Sequence, residues 1–195
     1  GANRLGGNSL SDLLVFGKRA GEYAAKYAKE TQKGKVSDLQ LTEIKATSLA
    51  PFERGLSKTA QNPFQVQSTL QDMMQDLVGI ARVGTELELA IGKISELQEH
   101  ARQIGCDGNR GYNPGWHTAM ELTHMLTVAE AIARAANERK ESRGGHFRED
   151  YPEKSSELGQ VNIAIKKDEK GDMKIWKIPK TKLREDLQLL IDEMK

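Results

Sequence analysis

Apolar positions recur at helical spacing over the middle of this chain, and the stretches where the spacing fails mark its joints. Val66, Leu70, Met73, Met74 and Leu77 follow three-and-four steps, which predicts an amphipathic helix over residues 64–78. Residues 79–84, bounded by glycines, interrupt it. Thr85 can cap a second long helix, with Leu87, Ala90, Ile91, Ile94, Leu97 and Ala101 inward. The stretch from Gly105 to Gly115 holds four glycines and a proline and reads as a loop. Pro114 then opens a third helix, at a position where proline is tolerated. Trp116, Ala119, Met120, Thr123, Leu126, Val128, Ala129, Ile132, Ala133 and Ala136 give it a broad apolar face through about Asn137. Three antiparallel helices on short loops can share one core. Met73, Met74, Met120 and Met125 read as filler of that core.

The flanks have other patterns. Residues 11–29 read as a helix whose faces carry Leu10, Leu13, Leu14, Phe16, Gly17, Ala20, Gly21, Ala24, Ala25 and Ala28. Each glycine inside a helix costs about 1 kcal/mol relative to alanine. That cost is tolerated where another backbone packs close. So broad a small and apolar face is normally buried, yet only a short stretch precedes it, so the chain is expected to be part of a larger protein. Gly34 is the expected helix stop. Residues 35–63, with Pro51 and Pro63, have weak periodicity and read as a connecting segment, with short helical pieces around Leu39–Ala46 and Glu53–Leu56. At the other end, 161–165 and 173–179 alternate apolar and polar residues around the turn 167–172, a β-hairpin signal. Leu183, Leu187, Leu190 and Ile191 suggest a short last helix.

Composition narrows the function classes. The 195 residues carry 29 basic and 28 acidic side chains, a net charge of +1, which gives no reason to propose nucleic acid or an anionic membrane as partner. Hydrophobic residues make up 37%, low for a self-sufficient globular chain. One cysteine, Cys106, excludes an internal disulfide and fits a reducing compartment. No apolar run approaches the roughly 20 residues needed to span a bilayer. Residues 139–151 form the densest charge run, normally a solvated surface, but paired Gly144 and Gly145 inside it suggest a specific backbone path. His146 has no second ligand at a zinc-like spacing, and His117 and His124 lack a carboxylate or cysteine to complete a site, so no metal is expected.

The candidate chemistry lies in the opening decapeptide Gly1-Ala-Asn-Arg-Leu-Gly-Gly-Asn-Ser-Leu10. Ser9 is a good N-cap, and Asp12 completes a capping-box pattern. Gly6, Gly7 and Asn8 let backbone approach something flat or charged. Free N–H groups and the positive dipole end of a first turn favour an anion or an electron-rich carbonyl. Arg4 offers a planar fork of donors suited to a carboxylate. Asn/Gly loops leading into capped helices are common, and most bind nothing.

Residues 1–21, with the strings Arg82-Val83-Gly84, Asn113-Pro-Gly-Trp-His-Thr-Ala119 and Arg139-Lys-Glu-Ser-Arg-Gly-Gly-His-Phe-Arg-Glu-Asp-Tyr-Pro152, resemble the flavoprotein subunits of succinate dehydrogenase and fumarate reductase, in order and at about the right distances. L-aspartate oxidase is a close relative with similar segments. The resemblance implies that Arg4 grips a carboxylate of succinate or fumarate. It implies that the backbone of Gly7 lies against substrate, and that the backbone of Ser9 and Leu10 contacts the isoalloxazine of FAD. It also implies that residues 139–152 pack toward the flavin domain in a salt-bridged network, a structural role. No G-x-G-x-x-G follows a strand here, and the family's substrate histidines, proton-moving arginine and flavin-linking histidine precede the matched region.

The expectation is therefore a mainly α chain: an antiparallel three-helix bundle, an N-terminal helix from a truncated flavin domain and a small C-terminal hairpin. Residues 1–50 would end the FAD-binding domain, 51–150 form the helical domain and 151–195 the tail. The expected partners are the N-terminal flavin and capping domains of the same subunit and an iron–sulphur subunit. Membrane anchor subunits would hold the whole on the cytoplasmic face of the cell membrane. Alone, the chain is expected neither to hold FAD nor to turn over succinate. The competing expectations are a non-catalytic helical interaction module and the C-terminal part of an L-aspartate oxidase.

Overall fold

The computed structural model describes residues 8–56 and 60–193. It is mainly helical, a helical bundle with a small antiparallel hairpin near its C-terminus. The elements run α1 (Asn8–Glu30), α2 (Asp38–Arg54), α3 (Pro63–Leu77), β1 (Ala81–Arg82), α4 (Gly84–Arg102), α5 (Pro114–Glu138), β2 (Phe147–Arg148), β3 (Val161–Lys167), β4 (Met173–Pro179) and α6 (Glu185–Glu193). No helix among the described residues is long and apolar enough to cross a membrane. The chain divides into two units, residues 1–72 with 95–126 and residues 73–94 with 127–195, so α3, α4 and α5 each pass from one to the other.

In the first unit the interior is built by Val66, Leu70, Leu97, Ile104, Leu122 and Leu126, each at most 6% exposed. All but Ile104, which pairs with Gln61 in an isolated bridge just after α4, are inward positions of three helices, as their three-and-four spacing requires. The stretch 103–106 is sewn to its neighbours by backbone. Gln61 N–H donates to Gln103 O at 3.2 Å, and Cys106 N–H to Pro51 O at 2.9 Å. Gly105 permits this approach, because a Cβ there would lie 1.8 Å from the carbonyl oxygen of Gly55. Gly55 turns the chain with φ 57°, in the left-handed region glycine favours. Trp116, at the start of α5, donates from Nε1 to Ser48 O at 2.8 Å and stacks on Phe52 at 5.3 Å between ring centres.

Two expectations need correction in this unit. Residues 38–54 are one helix, not two short pieces. Most of α2 is exposed on every side, so no apolar period marks it in the sequence. Pro51 does not end it. A proline removes one i→i−4 bond, but only three residues of α2 follow, and the Pro51 carbonyl receives both Gly55 N–H and Cys106 N–H. The apolar face of α5 is also narrower than predicted. Ala119, Leu122, Leu126, Ala129, Ala133 and Ala136 keep a strict three-and-four stripe and are buried, whereas Met120, Val128 and Ile132 lie off it and are exposed. Met120 is therefore not core filler.

In the second unit the interior is Met73, Val78, Leu87, Ala90, Ile94, Ala129, Ala133, Ala136 and Leu158. After α3 the chain makes a two-residue strand, β1, which pairs in parallel with β2: Ala81 with Phe147 and Arg82 with Arg148. The hairpin pairs Val161 with Pro179 through Lys167 with Met173. Its turn is fixed by Asp168, whose Oδ1 accepts from Lys170 N–H and Asp172 N–H at 2.9 and 2.8 Å, and by Gly171 at φ 94°. Val161, Ile163, Ile165, Met173 and Ile175 share the half-buried face of this hairpin.

Candidate functional site

Of the four residues expected to meet substrate or flavin, Arg4 and Gly7 lie outside the described residues. Ser9 and Leu10 stand in the first turn of α1, both exposed, Leu10 at 70%. The described helix starts at Asn8, three residues before the expected run of 11–29, so Ser9 is inside the first turn rather than its cap. It stops at Glu30, short of Gly34. No acidic side chain lies in that first turn. The N–H groups of a helix's first residues have no partner within the helix, and this end of a helix carries partial positive charge. No residue of α1 is buried.

The polar groups the structure does bring together lie in the charge run 139–151 and at Ser155 just beyond it, and two of its charges, Glu141 and Arg148, are buried. Glu141 is wholly buried. Its Oε1 accepts from Arg139 Nη1 at 2.6 Å and Arg143 Nε at 3.0 Å. Its Oε2 accepts from Arg143 Nη2 at 2.9 Å and from Ser155 N–H at 2.8 Å. The Arg143 fork beside it, with Ser155 N–H and Arg139, outweighs burial and holds the Glu141 carboxyl at about 2, well below the usual carboxylate range. Arg139 also donates to the carbonyls of Leu158 and Val161, which ties this cluster to the start of the hairpin.

A second pair lies alongside. Arg148, 1% exposed, grips Asp150 with both ends of its fork: Nε to Oδ1 at 2.8 Å and Nη2 to Oδ2 at 2.7 Å. Its remaining donor group, Nη1, reaches Ala136 O at 2.8 Å and Asn137 O at 3.2 Å, in the last turn of α5. Asp150 Oδ2 accepts the N–H of Gly84, the first residue of α4, at 2.9 Å. A cation thus sits at the C-terminal end of one helix and an anion at the N-terminal end of another, each where the dipole favours it. Space is tight at Gly84, where a Cβ would lie 3.0 Å from Asp150 Oδ2 and 3.1 Å from Arg148 Nη2. The Arg148 guanidinium and the Gly84 N–H hold the Asp150 carboxyl at about 2.

His146 completes the cluster. Arg82 Nη1 lies 2.9 Å from its Nδ1 and Arg139 O lies 3.0 Å from its Nε2. Arg82 Nε reaches back to Gly79 O at 2.9 Å. Burial, with three arginines nearby, pushes the imidazole below its ordinary value. No buried side-chain polar atom among the described residues lacks a partner. Carboxylates and guanidiniums so fully committed to one another have no capacity left for acid–base work on a substrate. They make a brace that fixes helix ends. Sequence reasoning expected a structural network in this run but missed Arg82 and Gly84 as its distant members. The signal for both was the short string of glycine and arginine that interrupts the helical period.

The family described as "Fumarate reductase flavoprotein C-term" matches residues 67–188. The fumarate reductase flavoprotein subunit of Mycobacterium tuberculosis is 36% identical over 186 residues, which cover 93% of this chain and 32% of that protein. The solved structure titled "Mycobacterium smegmatis Sdh1 in complex with UQ1" superposes with a TM-score of 0.87 at 39% identity, over 97% of this chain and 32% of the other. The structure titled "Quinol-Fumarate Reductase with Menaquinol Molecules" gives 0.81 at 28% identity, over 94% and 32%. The chain spans about a third of the length of the curated relatives it matches first.

Proposed function

The chain belongs to the fumarate reductase flavoprotein C-terminal family, and on that footing we propose that it forms the C-terminal part of a flavoprotein oxidoreductase that interconverts succinate and fumarate. The observation that carries this is the family match over residues 67–188, with a fold likeness that extends over 97% of the chain. In this reading Arg4 binds one carboxylate of the dicarboxylate through its planar fork. Gly7 lets backbone lie against the substrate without a Cβ in the way. Ser9 and Leu10 turn their backbone toward the ring of FAD.

The first turn of α1 fits that last role. It holds no acid and carries exposed Ser9 and Leu10. Preorganised N–H groups there would favour negative charge on an electron-rich ring. FAD supplies the hydride acceptor. Its binding residues are proposed to lie mostly outside this chain, because no dinucleotide-binding glycine motif occurs in it. Electrons would leave through an iron–sulphur subunit, and anchor subunits would hold the assembly at the cytoplasmic face of the membrane. The brace of residues 139–155 does not touch substrate in this reading. It holds the helix ends on which the rest depends.

The experiment uses a protein that joins this chain to its flavin-binding part, with succinate-dependent dye reduction as readout. Arg4→Ala leaves one buried carboxylate unpaired, a loss of about 3–5 kcal/mol. That corresponds to a fall in kcat/KM of roughly 10²–10⁴-fold with flavin absorbance retained. Unchanged kcat/KM in Arg4→Ala defeats the assignment of Arg4. Absence of flavin and of succinate oxidation in the parent defeats the function itself.

A further inference from the structure

We propose that His146 is a neutral latch whose protonation releases the Arg143–His146 turn from Arg82, so that the brace loosens in acid. The geometry fixes the imidazole's state. Arg82 Nη1 can only donate, so Nδ1, 2.9 Å away, must accept. Arg139 O can only accept, so Nε2, 3.0 Å away, must carry the proton. Both bonds exist only in the neutral Nε2–H form. A second proton would sit on Nδ1 and face the N–H of Arg82, donor against donor.

The Arg139 carbonyl favours that charge through Nε2–H, but the charged side chains that face the ring oppose it. Arg82 approaches from β1, Arg139 from the segment after α5, and Arg148 from β2, all three cationic. Arg143, on the latch's own turn, is committed to Glu141. The two carboxylates of the brace are occupied too, Glu141 by Arg139 and Arg143, and Asp150 by Arg148 and Gly84 N–H. The turn itself is held by a pair of backbone bonds: Arg143 N–H to His146 O at 2.8 Å and His146 N–H to Arg143 O at 3.1 Å. Gly144 within it takes φ 63°. Protonation therefore breaks the Nδ1 bond to Arg82 while Nε2–H goes on donating to Arg139 O, and on one side this frees a tight turn from β1. On the other side it frees Arg82, whose Nε bonds Val78 O and Gly79 O at the end of α3.

The test is nuclear magnetic resonance on the full chain, with ring-nitrogen shifts and backbone amides followed from pH 8 to 5. The expected result at pH 8 is the Nε2–H tautomer for His146 and, on acidification, a titration midpoint below the ordinary imidazole value of about 6.5. The amides of residues 143–148 and of Arg82 should shift and lose protection with the same midpoint. His146→Gln keeps one acceptor and one donor but does not titrate, so it should abolish that acid-dependent loosening. The proposal is overturned if His146 titrates at or above about 6.5, the ordinary imidazole value. It is also overturned if amides 143–148 ignore its titration, or if His146→Gln loosens at the same pH. The wild-type tautomer and midpoint decide the matter even if the variant fails to fold.

Discussion

Replacing Glu141 by glutamine is the sharpest test of the brace. The carboxylate is 0% exposed and accepts four hydrogen bonds, three of them from arginines. A glutamine at this place keeps the volume but loses the charge, and its NH2 group must confront guanidinium or Ser155 donors. Arg139 and Arg143, 18% and 35% exposed, are then left half-buried without their counter-ion. Removing one partner of a buried ion pair costs about 3–5 kcal/mol. In a chain of this size 1 kcal/mol moves the melting temperature by about 2–4 °C, so Glu141→Gln should lower it by about 6–20 °C. Glu99→Gln is the control, since Glu99 pairs with Arg102 on the surface at 61% exposure. Such pairs contribute about 0–1 kcal/mol. Calorimetric melts at pH 7 give both numbers. The acid limb supplies a second readout. The folded Glu141 carboxyl stands at about 2 against an ordinary 4.5, so its stabilisation is complete above pH 4.5 and drains as pH falls toward 2. Glu141→Gln should flatten that part of the stability curve. A melt displaced no further than that of Glu99→Gln, with the acid limb unchanged, would show that the cluster holds nothing.

Gly105→Ala places a Cβ 1.8 Å from Gly55 O, a contact only backbone movement can relieve. It should cost about 3 kcal/mol, the upper end of overpacking losses, read as a drop in urea midpoint with an unchanged slope. Trp116→Phe keeps the stack on Phe52 but deletes the Nε1 bond to Ser48 O. Leaving that carbonyl without its indole donor should cost about 1 kcal/mol, visible in the same titration. Asp150, held at about 2 against an ordinary 3.8, adds to the acid limb, so wild type should lose stability between about pH 4 and 2 in excess of Asp150→Asn.

The parts of the fold legible in the sequence are those where burial is one-sided. α3, α4 and α5 each bury a single stripe, so Val66, Leu70 and Met73 or Leu87, Ala90 and Ile94 announce themselves by spacing. The hairpin is legible for the same reason at period two, with Val161, Ile163 and Ile165 on one face. α2 is not legible because it is exposed nearly all round. β1 and β2 are not legible because two residues carry no alternation, and their register joins Arg82 to Arg148 across most of the bundle's sequence. Glu141 and Arg148 read as solvated charges because burial of a charge depends on its partner, which composition does not reveal. The expected site splits in the same way. Ser9 and Leu10 can be placed at a helix start from capping logic, within three residues, whereas Arg4 and Gly7 fall outside the described residues.

The two ends of the brace show why strings far apart in sequence carry one signal. Arg82 and His146 are separated by 64 residues, and Gly84 and Asp150 by 66, yet each pair shares a hydrogen bond. The Arg148–Asp150 pair gains little net stability from its own attraction, because desolvation of two charges offsets most of it. What it adds is register. Asp150 can reach Gly84 N–H only when α4 starts there, and Arg148 can reach Ala136 O and Asn137 O only when α5 ends there. A slip of either helix by one residue would leave a buried guanidinium facing nothing, a cost of several kcal/mol. The interruption at 79–84 and the charge run at 139–151 are therefore one structural feature written twice.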